Sequence, residues 1–410
     1  MSTHNKNKIL NDPVYGFITI QHELTFDLMD HPFVQRLRRI SQLGLSHLVY
    51  PGAVHNRFHH AIGALHLMQE AIAVLRAKGT DISDQEGEAA CAAILLHDVG
   101  HGPFSHALEH SIVKGVQHED ISALIMSRLN DEMNGALDTA IAIFNDHHPK
   151  RFLHQLVASQ LDMDRMDYLA RDSFYSGVAE GKIGSERIIK MLAVKDDRLV
   201  VEEKGIYSIE KFLMARRLMY WQVYLHRTVL CAEFMLMRVL KRAKALALSG
   251  VDVFTTPALS IFINESLDRA KFIADPEILN RFCELDDSDI TCALKVWQHH
   301  DDPILSELSK RIVHRNLFQI ELRSQPFSND EVETTIQNVA KGLGISREDA
   351  TQFVINDTIH NSLYSEEGIS IQFKNGTVQD FAEASDQLNR EILTRTVSKS
   401  FLCYPKELAR

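Results

Sequence analysis

Residues 55–60 read HNRFHH, and residues 95–106 read LLHDVGHGPFSH. Each stretch holds three histidines, and in the second stretch Asp98 directly follows His97. Folding alone does not require so many imidazoles, whereas neutral imidazole and carboxylate groups are ordinary ligands of divalent metal ions. Taken alone, an adjacent His–Asp pair is more simply a helix C-terminus, with the imidazole near the negative end of the helix dipole. A metal site here therefore depends on further ligands elsewhere in the chain.

An acidic segment later in the chain supplies such ligands. Residues 162–172 read DMDRMDYLARD and contain four aspartates. His60, His97, Asp98 and one of these aspartates would form a site of two imidazoles and two carboxylates. This set suits Mn, Fe, Zn or Mg and leaves coordination positions open for water and substrate. It contains no thiolate, which argues against a closed structural zinc site.

Basic side chains accompany these candidate ligands. Arg57 precedes His60 by three residues and Arg165 directly follows Asp164, while residues 215–227 carry an Arg–Tyr stripe at helical spacing. Such a stripe alone is more simply a solvated helix edge over core aromatics. Arginine beside a metal ion is different, because both bind phosphate oxygens. The combination predicts a phosphoester or polyphosphate substrate.

Composition limits the other possibilities. The chain has 410 residues, 45% apolar content and a net charge of −11. It can bury a large core, but it lacks the positive charge that general binding to a nucleic-acid backbone requires. Its five cysteines include no C-x-x-C pair, which favours reduced thiols in a cytoplasmic protein. The first ten residues lack the apolar run of a signal peptide, so we expect a cytoplasmic location and no membrane attachment.

Helical periodicity predicts a mainly α-helical fold. A helix face is predicted at Phe33, Leu37, Ile40 and Leu43, and residues 83–100 predict a helix that opens with a Ser83–Glu86 capping box. That helix would end at Gly100, with His97 and Asp98 in its last turn. Further predictions are one long or once-broken helix over 207–250, a strand at 198–203, a strand at 369–373 before an Asn375-Gly376 turn, and a soft boundary near 325.

The histidine stretches, the His118–Glu119 pair and the acidic segment, in this order, resemble the H…HD…D signature of the HD-domain phosphohydrolases. The resemblance is closer to the deoxynucleoside triphosphate triphosphohydrolases, including the type that carries a SAM domain ahead of its HD domain. Similarity to that branch extends over roughly residues 11–325. It implies an HD-domain helical core with additional helices and a small C-terminal α/β region. The predicted division is 1–200 for the catalytic core, 201–325 for a helical extension that completes the active site, and 326–410 for the α/β region.

Site roles follow from the resemblance residue by residue. The implied metal ligands are His60, His97, Asp98 and Asp164. The implied catalytic groups are His101, His118, Glu119 and His106, which would protonate the leaving 5′ oxygen with Glu109 behind it. The implied phosphate-binding residues are Arg57, Arg165, Tyr168 and Arg216. The sugar would contact Gln42 and Asp172 at its 3′-hydroxyl, and Leu43 and Tyr224 would exclude a 2′-hydroxyl.

Two residues depart from the family pattern. His59 stands where the family usually has Glu before the metal histidine, which would change the groups that orient this ligand. Arg165 stands where the SAM-bearing type has Lys, so its phosphate contact would have a different geometry. The regulatory nucleotide site of that type has no match here, so allosteric activation is not carried over.

The implied function is metal-dependent hydrolysis of deoxynucleoside triphosphates to deoxynucleoside and triphosphate. The expected cofactor is one divalent ion (Mn, Fe, Zn or Mg), with additional Mg on the substrate phosphates as a further expectation. The expected partners are a nucleotide substrate and copies of the same chain, as a dimer or tetramer. Two alternatives remain open: an HD phosphohydrolase of another nucleotide or phosphodiester, and a non-catalytic nucleotide-sensing module. The sensor is disfavoured because sensing does not require an acid such as His106.

Overall fold

The fold is taken from a computed structural model of the chain. The structure describes residues 8–109, 111, 115–361, 364, 368–388, 391 and 396–408, without the side chains of His106, Glu109 and Asn361.

The described residues form a predominantly α-helical body, as predicted. Its α-helices are α1 (Glu23–Asp30), α2 (Pro32–Gln35), α3 (Arg57–Ala77), α4 (Asp84–Leu96), α5 (Ser105–Glu109), α6 (His118–Glu132), α7 (Asp138–Phe144), α8 (Arg151–Val157), α9 (Met163–Ser176), α10 (Ser185–Met191), α11 (Ile206–Met219), α12 (Arg227–Leu248), α13 (Pro257–Asn264), α14 (Arg269–Ala274), α15 (Pro276–Glu284), α16 (Asp287–Trp297), α17 (Pro303–Val313), α18 (Asn329–Leu343), α19 (Arg347–Ala350) and α20 (Phe381–Ala384). None of the helices in the described part of the chain is long and apolar enough to cross a membrane.

Within the described residues, short strands form three small sheets. The strands are β1 (Lys8–Asp12), β2 (Gly16–Ile20), β3 (Leu192–Lys195), β4 (Arg198–Glu202), β5 (Gln319–Arg323), β6 (Ile355–Asn361), β7 (Ser370–Gln372), β8 (Val378–Asp380) and β9 (Val397–Tyr404). Strands β1 and β2 form an antiparallel hairpin, and the other two sheets have the strand orders β3-β4-β7-β8 and β5-β9-β6. The predicted strands at 198–203 and 369–373 correspond to β4 and β7, and Asn375-Gly376 turns the chain into β8. The predicted domain boundaries near 200 and 325 stay predictions.

Helix α3 packs against both α4 and α9, and all three contribute residues to the core. The predicted capping box of α4 is present, since Ser83 Oγ accepts from the Glu86 N–H at 3.2 Å and Glu86 Oε2 accepts from the Ser83 N–H at 2.8 Å. The helix ends earlier than predicted, at Leu96. His97 is its C-terminal cap and Asp98 lies in the following turn, so both side chains leave the helix end together.

The predicted helix face at 33–43 is wrong beyond its first turns. Helix α2 continues into a 3₁₀ turn over Arg36–Arg39, and the backbone becomes extended at Ile40. The extended residues pair with the segment that leads into α3, because Gln42 N–H donates to His55 O at 3.0 Å and Arg57 N–H donates to Ile40 O at 2.9 Å. These long-range backbone bonds compete with continuation of the helix, and they bring Gln42 next to the first histidine stretch.

The long helix predicted over 207–250 is once broken. A π-helical turn at Tyr220–Tyr224 separates α11 from α12, and α12 ends just before Gly250. Such turns shift the side chains that follow. The Arg216 guanidinium lies 5.8 Å from the Tyr220 ring centroid, and the Tyr220 and Tyr224 rings are 5.1 Å apart, so the stripe is continuous across the break.

Candidate active site

Helix α3 begins inside the first histidine stretch with a capping box. Asn56 Oδ1 accepts from the His59 backbone N–H at 3.1 Å, and His59 Nδ1 accepts from the Asn56 backbone N–H at 3.3 Å. Histidine here takes the capping position that glutamate or glutamine usually fills. His59 therefore serves the helix end, and Arg57 and His60 are buried on the first turn.

Ring nitrogens and carboxylate oxygens converge where α3, the turn after α4, and α9 meet. His60 Nε2 lies 3.1 Å from Asp164 Oδ1, and His97 Nε2 lies 3.5 Å from the same oxygen. Asp98 lies beside them, with Oδ1 at 3.4 Å from His97 Nε2 and Oδ2 at 3.8 Å from His60 Nε2. The structure thus brings together the four residues that the family resemblance assigns to the metal, here called the metal cluster.

The two imidazoles of the metal cluster present their Nε2 atoms inward. His60 Nδ1 bonds to Asp167 Oδ2 at 2.7 Å, and His97 Nδ1 bonds to the Ile94 carbonyl at 2.7 Å. Both Nε2 atoms are buried, and neither makes a well-aligned hydrogen bond to any described residue. A buried polar atom without such a bond costs about 1–3 kcal/mol. Coordination of a divalent ion by both Nε2 lone pairs would remove that cost, so these residues fit a metal ion.

Carboxylates and imidazoles in the metal cluster shift one another's pKa. Burial would lower the pKa of His60, but Asp164 and Asp167 outweigh it and raise the pKa to about 10. The pKa of His97 is also raised, because Asp98 and Asp164 outweigh its burial. Burial would raise the pKa of Asp164, but His60 and His97 hold it below its usual range. A metal ion that takes the Nε2 lone pairs must therefore displace protons.

A second cluster, formed by Asp98, His101 and His118, adjoins the metal cluster. One ligand atom from each lies within 4.8 Å of the others. The His101 and His118 rings stack with centroids 3.8 Å apart, and His101 Nε2 lies 3.4 Å from Asp98 Oδ1. Asp98 therefore belongs to both clusters.

The surroundings of His101 keep its ring neutral. The Ser105 hydroxyl donates to the Gly102 carbonyl at 2.7 Å, so it accepts from His101 Nδ1 at 2.8 Å and leaves the lone pair on Nε2. Burial, reinforced by the Arg57 charge, holds the pKa of His101 well below its ordinary value despite Asp98. At neutral pH the His101 ring is therefore uncharged, and in this tautomer its Nε2 carries no proton.

Of the remaining predicted catalytic residues, the structure describes the side chains of His118 and Glu119 only. His118 Nε2 lies 3.3 Å from Glu119 Oε1, and the Glu119 side chain is largely exposed. His106 and Glu109 belong to α5, but their side chains lie outside the described residues.

Three arginines predicted to bind phosphate have anchored guanidinium groups. Arg57 Nη1 donates to Asp98 Oδ2 at 2.7 Å, Arg165 Nε donates to the Ser159 carbonyl at 2.6 Å, and Arg216 Nη1 donates to Gln160 Oε1 at 3.2 Å. Arg165 and Arg216 thus bind adjacent residues of the loop before α9. Arg57 lies directly against the metal cluster.

The residues predicted to contact the sugar form a connected group. Tyr224 OH donates to Asp172 Oδ2 at 2.8 Å, and the Tyr224 ring meets that of Tyr168 edge-on at 6.0 Å. The other Asp172 oxygen bonds to His55 Nε2 at 2.7 Å. The Gln42 backbone is bonded to His55 and its Oε1 is buried without a hydrogen bond to a described residue, and Leu43 packs half-buried at the edge of the core.

Sequence reasoning missed the residues that orient these groups. His55 lies in the first histidine stretch, but the sequence alone assigns it no role, and Asp167 is one of several candidate aspartates. Arg171 was not singled out at all, although its spacing of four from Asp167 on a helix is a recognisable ion-pair signal. No sequence signal shows that His55 reaches Asp172, because 117 residues separate them.

Residues 57–172 match the family described as HD domain, and residues 183–253 match the HD associated region. A crystal structure of a phosphohydrolase from Bacteroides thetaiotaomicron is similar over 97% of this chain and 99% of its own, with a TM-score of 0.95 and 54% identity.

Two curated relatives extend the comparison. The uncharacterized protein YwfO of Bacillus subtilis is 32% identical over 423 residues, which span 98% of this chain and 93% of YwfO. The deoxynucleoside triphosphate triphosphohydrolase SAMHD1 homolog of Dictyostelium discoideum is 30% identical over 342 residues, which span 78% of this chain and 60% of that protein.

Proposed function

The chain belongs to the HD-domain phosphohydrolases and is an enzyme of that superfamily, and we propose that it hydrolyses deoxynucleoside triphosphates to deoxynucleoside and triphosphate. One observation carries the proposal. Asp98 of the metal cluster is paired with Arg57, and Arg165 directly follows Asp164. On the same helix as Asp164, Tyr168 contacts Tyr224, which is bonded to Asp172. Groups suited to phosphate and groups suited to sugar hydroxyls therefore adjoin one cluster.

The phosphate end of this arrangement holds three arginines. Arg57 and Arg216 are buried, and Arg165 is about three-quarters buried. Guanidinium groups suit phosphate because they offer paired N–H donors in a fixed plane. Since the chain carries a net charge of −11, long-range attraction does not favour an anion, and capture must depend on these local charges.

Discrimination at the sugar is proposed to lie with Tyr224 and Leu43. The Tyr224 hydroxyl donates to Asp172, which fixes the ring and uses the only hydrogen that the phenol can donate. A 2′-hydroxyl against this ring would meet both steric crowding and the loss of its hydrogen bonds to water. Gln42 Oε1, buried and without a described partner, is available to accept from a 3′-hydroxyl.

His60, His97, Asp98 and Asp164 would hold one divalent ion, and when bound that ion would add positive charge at the phosphate and acidify a water molecule. Arg57 would stabilise negative charge that develops on the α-phosphate oxygens. His101, neutral and with its lone pair on Nε2, would accept a hydrogen bond from the attacking water and so orient it. His106 remains the proposed acid toward the departing 5′ oxygen, supported by the family resemblance.

The identity of the ion among Mn, Fe, Zn and Mg, an additional Mg on the phosphates, and assembly into a dimer or tetramer remain predictions. Relatives named as deoxynucleoside triphosphate triphosphohydrolases support the substrate class at about 30% identity or below.

A substrate panel with controlled metal content tests the proposal. Chelator-stripped protein would be reloaded with Mn, Fe, Zn or Mg and assayed against ribonucleoside and deoxynucleoside mono-, di- and triphosphates. Turnover of deoxynucleoside triphosphates, absent without metal and weak with ribonucleotides, is expected. Turnover confined to monophosphates or phosphodiesters would support the alternative phosphohydrolase, and binding without turnover would support the sensing module.

A further inference from the structure

A fully buried charge network runs from strand β1 to the metal cluster. Asp12, the last residue of β1, accepts from Arg171 Nη1 at its Oδ2 (2.7 Å). Arg171 in turn donates to both carboxylate oxygens of Asp167, each at 3.0 Å. Asp167 Oδ2 bonds to His60 Nδ1 at 2.7 Å. None of these four side chains is exposed to solvent.

Behind His60, the charges of the other three side chains do not cancel. Two carboxylates and one guanidinium leave a net charge of −1 behind His60. Such an arrangement is not expected to stabilise the fold, because the free-energy cost of desolvating buried ions often exceeds their mutual attraction. A metal-binding role for His60 explains it. A carboxylate bonded to the ring nitrogen that does not bind the metal fixes the ring orientation and raises the basicity of the coordinating nitrogen.

Asp12 affects how much of the negative charge of Asp167 remains uncompensated at the His60 ring. Without Asp12, Arg171 would have Asp167 as its only described carboxylate partner, and the pair would be neutral. With Asp12 holding one side of the guanidinium, Asp167 keeps negative charge for the His60 N–H. We propose that Asp12 is a positioning residue for the metal ligand His60, acting through Arg171 and Asp167.

Helix α3 has a glycine where Asp167 and Arg171 approach its backbone. At Gly63, one turn after His60, a Cβ atom would lie 2.0 Å from Asp167 Oδ1 and 2.1 Å from Arg171 Nη2. No side chain larger than glycine fits there without displacing both groups. The Tyr15 ring covers the other side, with its centroid 5.6 Å from the Arg171 guanidinium carbon.

The two oxygens of Asp12 have separate tasks, which makes the proposal testable. Oδ1 accepts from the backbone N–H groups of Val14 and Tyr15, both at 2.9 Å, and so holds the turn of the hairpin. Oδ2 alone meets Arg171. Asparagine at this position can keep the turn with its amide oxygen while it removes the charge.

The inference rests on the metal role proposed for His60 and not on the nucleotide substrate. The experiment measures Mn²⁺ affinity of chelator-stripped protein by electron paramagnetic resonance of the free ion, without substrate. Asp12→Asn should raise the Mn²⁺ Kd about tenfold or more, as loss of such indirect contacts typically does. The matched control is Asp302→Asn, which removes the carboxylate from a different Arg–Asp pair, with Arg242 at 3.1 and 2.5 Å, and should leave the Kd within about twofold.

Thermal unfolding of the stripped proteins separates folding from positioning. If Asp12 only stabilises the fold, Asp12→Asn will lower the melting temperature and leave the Kd within twofold of wild type, which overturns the proposal. If this variant does not fold, Arg171→Lys replaces it, because lysine keeps the charge but cannot bridge both carboxylates, and an unchanged Kd there is equally contrary. Wild-type protein that binds Mn²⁺ but turns over no nucleotide would overturn the substrate proposal alone, whereas failure to bind Mn²⁺ would overturn the metal site and this inference with it.

Discussion

Metal affinity should depend steeply on pH, because the metal cluster holds protons that an ion must displace. The carboxylates of Asp164 and Asp167 outweigh burial and raise the pKa of His60 to about 10. Coordination requires the neutral ring. Because pH 7 lies about three units below this pKa, roughly one molecule in a thousand has an unprotonated Nε2. Removing the proton therefore costs about 4 kcal/mol of binding free energy at pH 7. The apparent Mn²⁺ Kd should therefore fall about tenfold per pH unit from pH 7 toward pH 10.

Isothermal titration calorimetry of Mn²⁺ into stripped protein measures this directly. In buffers of different ionisation enthalpy at pH 7, at least one proton should be released for each ion bound, since the pKa of His97 is raised as well. A binding enthalpy that is the same in every buffer, together with a Kd that does not change between pH 7 and 9, would refute the reasoning. The His60→Gln variant is the control, because it lacks the titrating ring and should show a shallower pH dependence.

Three further predictions concern stability and selectivity. Asp98→Ala should abolish hydrolysis and lower the free energy of unfolding by about 1–3 kcal/mol, because Arg57 loses a buried partner, while circular dichroism keeps its helical signal. Tyr224→Ala should raise activity on ATP relative to dATP, measured by competition, whereas Tyr224→Phe should keep the discrimination because the ring remains; equal wild-type rates on both nucleotides would refute the assignment. In chelated protein, the raised pKa of His60 stabilises the fold fully below about pH 6.5 and progressively less toward pH 10, so the melting temperature should fall over that range, and more than in His60→Gln.

The core of the site could be predicted because its ligands lie in short, dense motifs. His97 and Asp98 are adjacent, and helical spacing relates Arg57 to His60, so local chain geometry already brings these groups together. The Ser83–Glu86 capping box fixed the start of α4 correctly for the same reason. Its end was missed by one turn, since Val99 N–H bonds to Leu96 O in the tighter turn that aims Asp98 at Arg57.

Contacts between distant segments could not be predicted. The extended backbone at Ile40–Gln42 depends on pairing with residues 55–57, and helical periodicity alone gave the wrong structure there. Strand β5 is half-exposed along its length and pairs with β9 near the end of the chain. Because β9 is distant in the sequence, local sequence patterns do not predict this pairing. The same holds for Asp12, whose partner Arg171 lies 159 residues away.

Product analysis tests the central claim most directly. In the proposed geometry Arg57 and the metal cluster act on the α-phosphate, while Arg165 and Arg216 hold the outer phosphates. Phosphorus NMR of a deoxynucleoside triphosphate digest in oxygen-18 water should show intact triphosphate with the label on one terminal phosphate, and mass spectrometry should show an unlabelled deoxynucleoside. Orthophosphate with diphosphate, or pyrophosphate with monophosphate, as the first products would contradict the account.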